Sequence, residues 1–185
     1  MLRALQANAL GAAGQVDLTV THASSDAFPA EVFARVQAVE GVRAASASLN
    51  RTINLPADFY DHDAARPDVV TAVSLVGVDP YAAKTVRSYP VTTGRYLEQN
   101  DTHAAVISQS LADSVLVDVG EAFALPTANG TTELMAVGIL PPRTVPGNEE
   151  VLVTLAQAQT MTDQPGKINA IDIDLNTTDE ARRSE

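Results

Sequence analysis

In the stretch Val36-Gln37-Ala38-Val39-Glu40-Gly41-Val42-Arg43-Ala44-Ala45-Ser46-Ala47-Ser48-Leu49, the hydrophobic period changes at a glycine. Before it, Val32, Phe33, Val36 and Val39 recur at helical spacing along one face. Gly41 is placed to end that helix, because a residue without Cβ enters the left-handed region freely. Beyond it the odd positions Ala45, Ala47, Leu49, Ile53 and Leu55 mark a long strand, since alternate residues of a strand share a face. Upstream, Val16, Leu18 and Val20 alternate with Asp17, Thr19 and Thr21 as a half-buried strand. Ser25 or Asp26 reads as the cap of the helix, with Pro29 in its first turn. The unit is strand, helix, strand.

A second such unit lies near the other end. Val151-Leu152-Val153 is a strand, and Thr154 with Gln157 forms a capping box for a short helix. Pro165-Gly166 stops it, and Ile171, Ile173 and Leu175 define a last strand. Between the units, Val69 to Val78 is apolar on both faces, as a central strand requires. Asp79-Pro80 supplies a cap and a first-turn proline for a short helix. Gly94-Arg95-Tyr96-Leu97 reads as a turn towards a strand from Ala104 to Ser108, with Ser108 capping a helix that carries Leu111, Ala112, Val115 and Leu116. Ala122 to Pro126 and Thr131 to Leu140 flank Ala128-Asn129-Gly130, and Asn-Gly is a strong hairpin signal. The fold class is therefore α+β.

The chain has 185 residues, enough to bury a substantial core. Aromatics make up only 4%, so Val, Leu, Ile and Ala must fill that core. With 23 acidic and 12 basic residues the net charge is −11, which disfavours nucleic acid and anionic lipid headgroups as partners. Cysteine is absent, which excludes disulfides, thiolate catalysis and cysteine-based zinc sites. No stretch approaches the roughly 20 apolar residues that span a bilayer.

Candidate chemistry is sparse. Asp61-His62-Asp63 combines carboxylates with an imidazole, but adjacent side chains diverge on a loop and no H-x-x-x-H spacing adds ligands, so no metal is assigned. Asp172 and Asp174 share one face of the last strand, and paired carboxylates can do acid–base work. The same alternation is what a strand with one wet face shows, so no catalytic residue is assigned. Neither G-x-S-x-G nor a phosphate-binding loop occurs, and no cofactor is expected. Recognition concentrates on loops. That makes Phe59 and Tyr60, with Pro142 and Arg143 in the Pro141 to Asn148 segment, the candidate partner contacts.

Several phrases, in order, resemble the MacB-like periplasmic core domain of FtsX-superfamily ABC transporter permeases. They are Val16-Asp17-Leu18-Thr19-Val20, the helix ending Val39-Glu40-Gly41-Val42, and Leu75-Val76-Gly77-Val78-Asp79-Pro80. Gly94-Arg95-Tyr96-Leu97 followed by Asp101, Ala105-Val106-Ile107-Ser108, and Val117-Asp118-Val119-Gly120-Glu121 come next. Val137-Gly138-Ile139 and Val151-Leu152-Val153 complete a run that extends from 16 to 176; Ala57 to Pro67 and Pro141 to Asn148 match no family phrase.

The resemblance implies two lobes. Residues 16–68 and 141–185 would form a membrane-proximal lobe of two strand-helix-strand units, and 69–140 an inserted, strand-rich distal lobe. Residues 1–15 would be a lead-in following a transmembrane helix, and Thr177-Thr178-Asp179-Glu180 the first turn of a helix continuing beyond Glu185. Expected partners are the transmembrane helices of the same protein, a cytoplasmic ATP-binding subunit, and an extracytoplasmic partner protein or cargo. The domain would be non-catalytic and lie on the outer side of the cell membrane. A stand-alone secreted ligand-binding or adhesion module is the alternative.

Overall fold

The computed structural model describes residues 16–24, 26–56, 59–60, 70–142 and 149–176. In chain order the elements are β1 (Leu18–Thr21), β2 (Phe28–Pro29), α1 (Glu31–Gln37), β3 (Val42–Asn54), β4 (Ala72–Val78), α2 (Pro80–Val86), β5 (Thr93–Gly94) and β6 (Ala104–Ser108). They continue with α3 (Gln109–Val115), β7 (Ala122–Thr127), β8 (Gly130–Leu140), β9 (Glu149–Thr154), α4 (Leu155–Met161), β10 (Lys167–Ile168) and β11 (Ala170–Leu175).

Nine of these strands form one mixed sheet in the order β1-β11-β3-β4-β9-β6-β8-β5, with β7 paired to β8. The pairs β4–β9 and β6–β8 are parallel, and the others are antiparallel. Strands from 16–68, 69–140 and 141–185 all contribute, because β4 sits between β3 and β9 while β9 also pairs with β6. Separately, β2 and β10 make a two-stranded ribbon.

The sheet has helices on both sides. On one side, α4 approaches so closely that a Cβ on Gly77 would lie 2.2 Å from the Ala158 Cβ. Glycine is required there by helix–strand distance, not by backbone conformation. Leu49, Leu75, Ile107, Leu111, Leu125, Leu134, Val151 and Val153 form the principal core on this side. A second cluster joins Ala45, Ala47, Ile171 and Ile173 to Val32, Phe33 and Val36 of α1. On the opposite side α2 lies over β3 and β11. Its Ala83 packs with Val78, Val106, Leu152 and Tyr96.

Several local expectations hold. Ala45, Ala47 and Leu49 of β3 are buried and Ile53 half-buried, whereas α1 ends at Gln37, short of Gly41, which turns the chain into β3 at φ +96°. The Asp79 side chain accepts hydrogen bonds from the amides of Tyr81 and Ala82, with Pro80 in the first turn. The hairpin turns at Ala128-Asn129-Gly130. Other expectations are corrected. Helix α1 begins at Glu31 on an Ala30 cap that has no side-chain bond, because Phe28 and Pro29 are drawn into pairing with Ile168 and Lys167. Ser25 lies outside the described residues, and Asp26 accepts from Ser24 instead of capping. Helix α4 stops at Met161, before Pro165-Gly166. The capping box at its start is half made: Thr154 accepts from the Gln157 amide, while the Gln157 side chain accepts from the amide of His103.

Candidate functional site

On the α2 side of the sheet, the even positions of β3 are Ser46, Ser48, Asn50 and Thr52. The strand registers place Ser46 beside Asp172, and Thr52 beside Ser74. Ser46 and Ser48 are short enough to admit α2. Past the end of that helix the polar face opens into a groove of about 850 Å³. Its floor continues to Thr19 and Thr21 on β1, and its walls include Arg87, Tyr89 and Pro90 on one flank and Pro141 and Pro142 on the other.

Asp172 organises this groove. One carboxylate oxygen accepts from the Thr19 hydroxyl at 2.8 Å and the other from Arg87 Nε at 2.7 Å. Burial works to lower the Arg87 pKa, but the hydrogen bond and charge of Asp172 outweigh it and hold the guanidinium above its ordinary value. Burial pushes the Tyr89 hydroxyl up to about 12, so it stays neutral and can both donate and accept. Its ring stacks on Tyr96, centroids 5.1 Å apart, and Lys84 of α2 places its Nζ 4.4 Å from the Tyr96 ring centre.

The paired aspartates of the last strand therefore do not face water as their alternation suggests. Asp172 and Asp174 are both buried, and Asp174 is ion-paired with Arg43. Asp172, held by two donors, and Asp174, held by Arg43, brace the last strand against its neighbours.

A further ion pair sits at the turn near Gly94. Arg95 holds Asp101 through two parallel bonds of 2.7 and 2.8 Å, and the Glu98 amide donates to the same carboxylate. The Arg95 bond, together with that amide, keeps Asp101 below its ordinary pKa against the effect of burial. Ser108 stands at the head of α3 without capping it. Its hydroxyl and that of Ser110 both donate to Glu149, tying the helix to β9.

The predicted contact residues are not brought together. Tyr60 is buried and donates to the Ala124 carbonyl, and Phe59 packs edge-on against it and on the principal core. Pro142 is exposed at the groove wall, and Arg143 lies outside the described residues, as does Asp61-His62-Asp63. Among the described residues no group of acidic and histidine side chains is placed to hold a metal ion. The groove itself escaped sequence reading. Its signal was the run of small polar residues at even positions of β3, which pattern alone cannot separate from an ordinary wet strand face.

The first and last described strands, β1 and β11, lie side by side. Asp17 donates its amide to the Ile173 carbonyl, and its side chain accepts from the Leu175 amide at 2.9 Å. Among the described residues no helix is long and apolar enough to cross a membrane.

The sequence profile described as the MacB-like periplasmic core domain matches residues 3–184. The fold is similar to the extracellular domain of the noncanonical ABC-type transporter YknZ from Gram-positive bacteria, with TM-score 0.60 and 18% identity over 84% of this chain and 77% of that one. It is similar to the periplasmic region of MacB from Actinobacillus actinomycetemcomitans, with TM-score 0.60 and 8% identity over 89% and 71% of the two chains. A domain of a putative permease from Porphyromonas gingivalis aligns with TM-score 0.51 and 14% identity over 80% and 68%. No curated protein matches the chain in sequence. At these identities the structural likenesses establish a shared fold, and the profile establishes kinship: the chain belongs to the MacB-like periplasmic core domain family.

Proposed function

We propose that this chain is the extracytoplasmic domain of a permease that works by transmitting motion, with ATP hydrolysed by a separate cytoplasmic subunit. Family membership supports the compartment. The single observation that supports the mechanical role is the pairing of the first and last described strands: β1 and β11 are hydrogen-bonded neighbours, and residues 17 and 175 are bonded to each other. Two transmembrane segments attached at this one place would act on a strand pair continuous with the rest of the sheet. A displacement there passes into β3 and β4 without crossing a flexible linker. Within this reading, 16–68 and 141–185 form the membrane-proximal part, and 69–140 the distal part that meets a partner protein or cargo. Of the contact candidates, Pro142 has the exposure for such a role, whereas the Tyr60 hydroxyl is engaged inside the domain.

The test uses the absence of cysteine from the chain. Tyr81 is highly exposed on α2, so Tyr81→Cys in the full-length native gene product offers a single reporter within this domain. A membrane-impermeant maleimide should label it in intact cells. Labelling only after lysis would refute the extracytoplasmic placement, and a labelled product released from the membrane would favour the stand-alone module.

A further inference from the structure

From the groove beside Asp172, we infer that this domain binds a short, uncharged, hydroxyl-rich ligand, of which an oligosaccharide segment is the chemical type. Its volume of about 850 Å³ falls in the range of ligand pockets, roughly 300–1,000 Å³. Ser46 lines it while being 4% exposed, and its hydroxyl makes no hydrogen bond among the described residues. The helix above does not require serine there, since alanine would admit α2 equally well and leave no hydroxyl unpaired. Thr21, Thr52, Ser74 and Ser88 line the same groove, and their hydroxyls are likewise unpaired among the described residues.

Charge narrows the ligand. The groove's central ion pair is internally compensated, with Asp172 holding Arg87. Arg51 and Glu150 add one further charge of each sign to the lining, so the groove carries no net charge, while the whole chain carries −11. An anion gains little here and a cation meets an already neutralised aspartate. Each hydroxyl on the floor is both donor and acceptor, as is each hydroxyl of a sugar. The walls are flat: Val76, Tyr89, Pro90 and Pro141 suit the C–H faces of a pyranose ring, whereas a peptide ligand needs sockets for its side chains. This inference goes beyond the transport reading and does not depend on it.

The experiment is an NMR titration of the isotope-labelled 185-residue chain with a chitin-type tetrasaccharide, a glucan-type tetrasaccharide and an extended alanine–serine tetrapeptide. Saturable shifts confined to the amides of Ser46, Asn50, Thr52, Ser74 and Ser88 are expected with at least one saccharide. Which saccharide binds distinguishes acetylated from plain glycans. The variant S46A/T52A/S74A should weaken that binding by ~10-fold or more, since each lost hydrogen bond contributes about 1 kcal/mol. Its thermal midpoint should stay unchanged, because those hydroxyls have no partner to lose. The inference is overturned if neither saccharide gives saturable shifts, if the shifts fall elsewhere, if the triple variant binds as well as the parent, or if only the peptide binds. Because the readout is made on the 185-residue chain alone, none of these outcomes bears on the labelling result in cells.

Discussion

On one face of β3, Ala45, Ala47 and Leu49 are sealed beneath helices; on the other, Ser46, Ser48, Asn50 and Thr52 run out from under α2 into an open groove. The residues alternate along one strand, so their backbones share the same hydrogen-bond ladder and differ only in what their side chains meet. The apolar face is held by close packing spread over α1, α3 and α4. The polar face is held by discrete bonds, chiefly Thr19 and Arg87 to Asp172, and by the small apolar cluster under α2. Packing tolerates no loss of volume, while a hydroxyl open to water can be removed freely. The sheet is therefore rigid on one side and chemically available on the other.

The largest effect should come from the sealed face. Leu49→Ala removes a fully buried side chain and should cost about 3–4 kcal/mol in urea unfolding, because the cavity collapses only partly. A cost under about 1 kcal/mol would mean that this face is not close-packed. Next is Gly77→Ala, whose Cβ would meet Ala158 at 2.2 Å and force α4 outward. About 2–3 kcal/mol is expected from such overpacking.

Across the sheet, Asp172→Ala strands Arg87 and the Thr19 hydroxyl together. It should cost about 2 kcal/mol by the same measurement, less than a fully buried pair because Arg87 is partly solvated. Asp172→Asn, which keeps an acceptor for Thr19, should recover part of that loss.

Asp101 supplies a pH test. Its folded pKa lies below the unfolded value, because Arg95 bonds to the carboxylate. Its contribution is therefore complete above the unfolded pKa of about 4 and is lost as pH falls through the lower folded value. Asp101→Asn should flatten that part of an acid-unfolding curve; an unchanged curve would remove the Arg95 bond as a stabilising element. The smallest effect is expected at the groove: Thr52→Ala should change stability by no more than about 0.5 kcal/mol, as an exposed position with no paired hydroxyl. A larger loss would show that the groove face is structural after all and weaken its contrast with the core face.

Local chemistry made much of the fold legible. Asp79-Pro80 starts a helix through contacts two and three residues away, and Asn129-Gly130 turns a hairpin within itself. The groove was far less legible. Ser46, Thr52 and Ser74 are separated in sequence, and each taken singly is an ordinary strand residue. Tyr60 was equally opaque, because the carbonyl that receives its hydroxyl belongs to Ala124, on a hairpin 64 residues away.

What the sequence by itself determined is the alternation of β3, the order of strand and helix, and through a run of short phrases the family. Each depends on neighbours within one turn or one strand, where propensity and period act directly. Only the tertiary structure decided which polar residues would be buried and paired. Asp172 meets Arg87 across 85 positions and Asp174 meets Arg43 across 131, so an exposed-looking pair became two internal braces. It also decided that Asp17 and Leu175 would be bonded neighbours, although 158 positions separate them. Pairings at such separations are set by how the whole sheet closes, since no local preference distinguishes one distant partner from another.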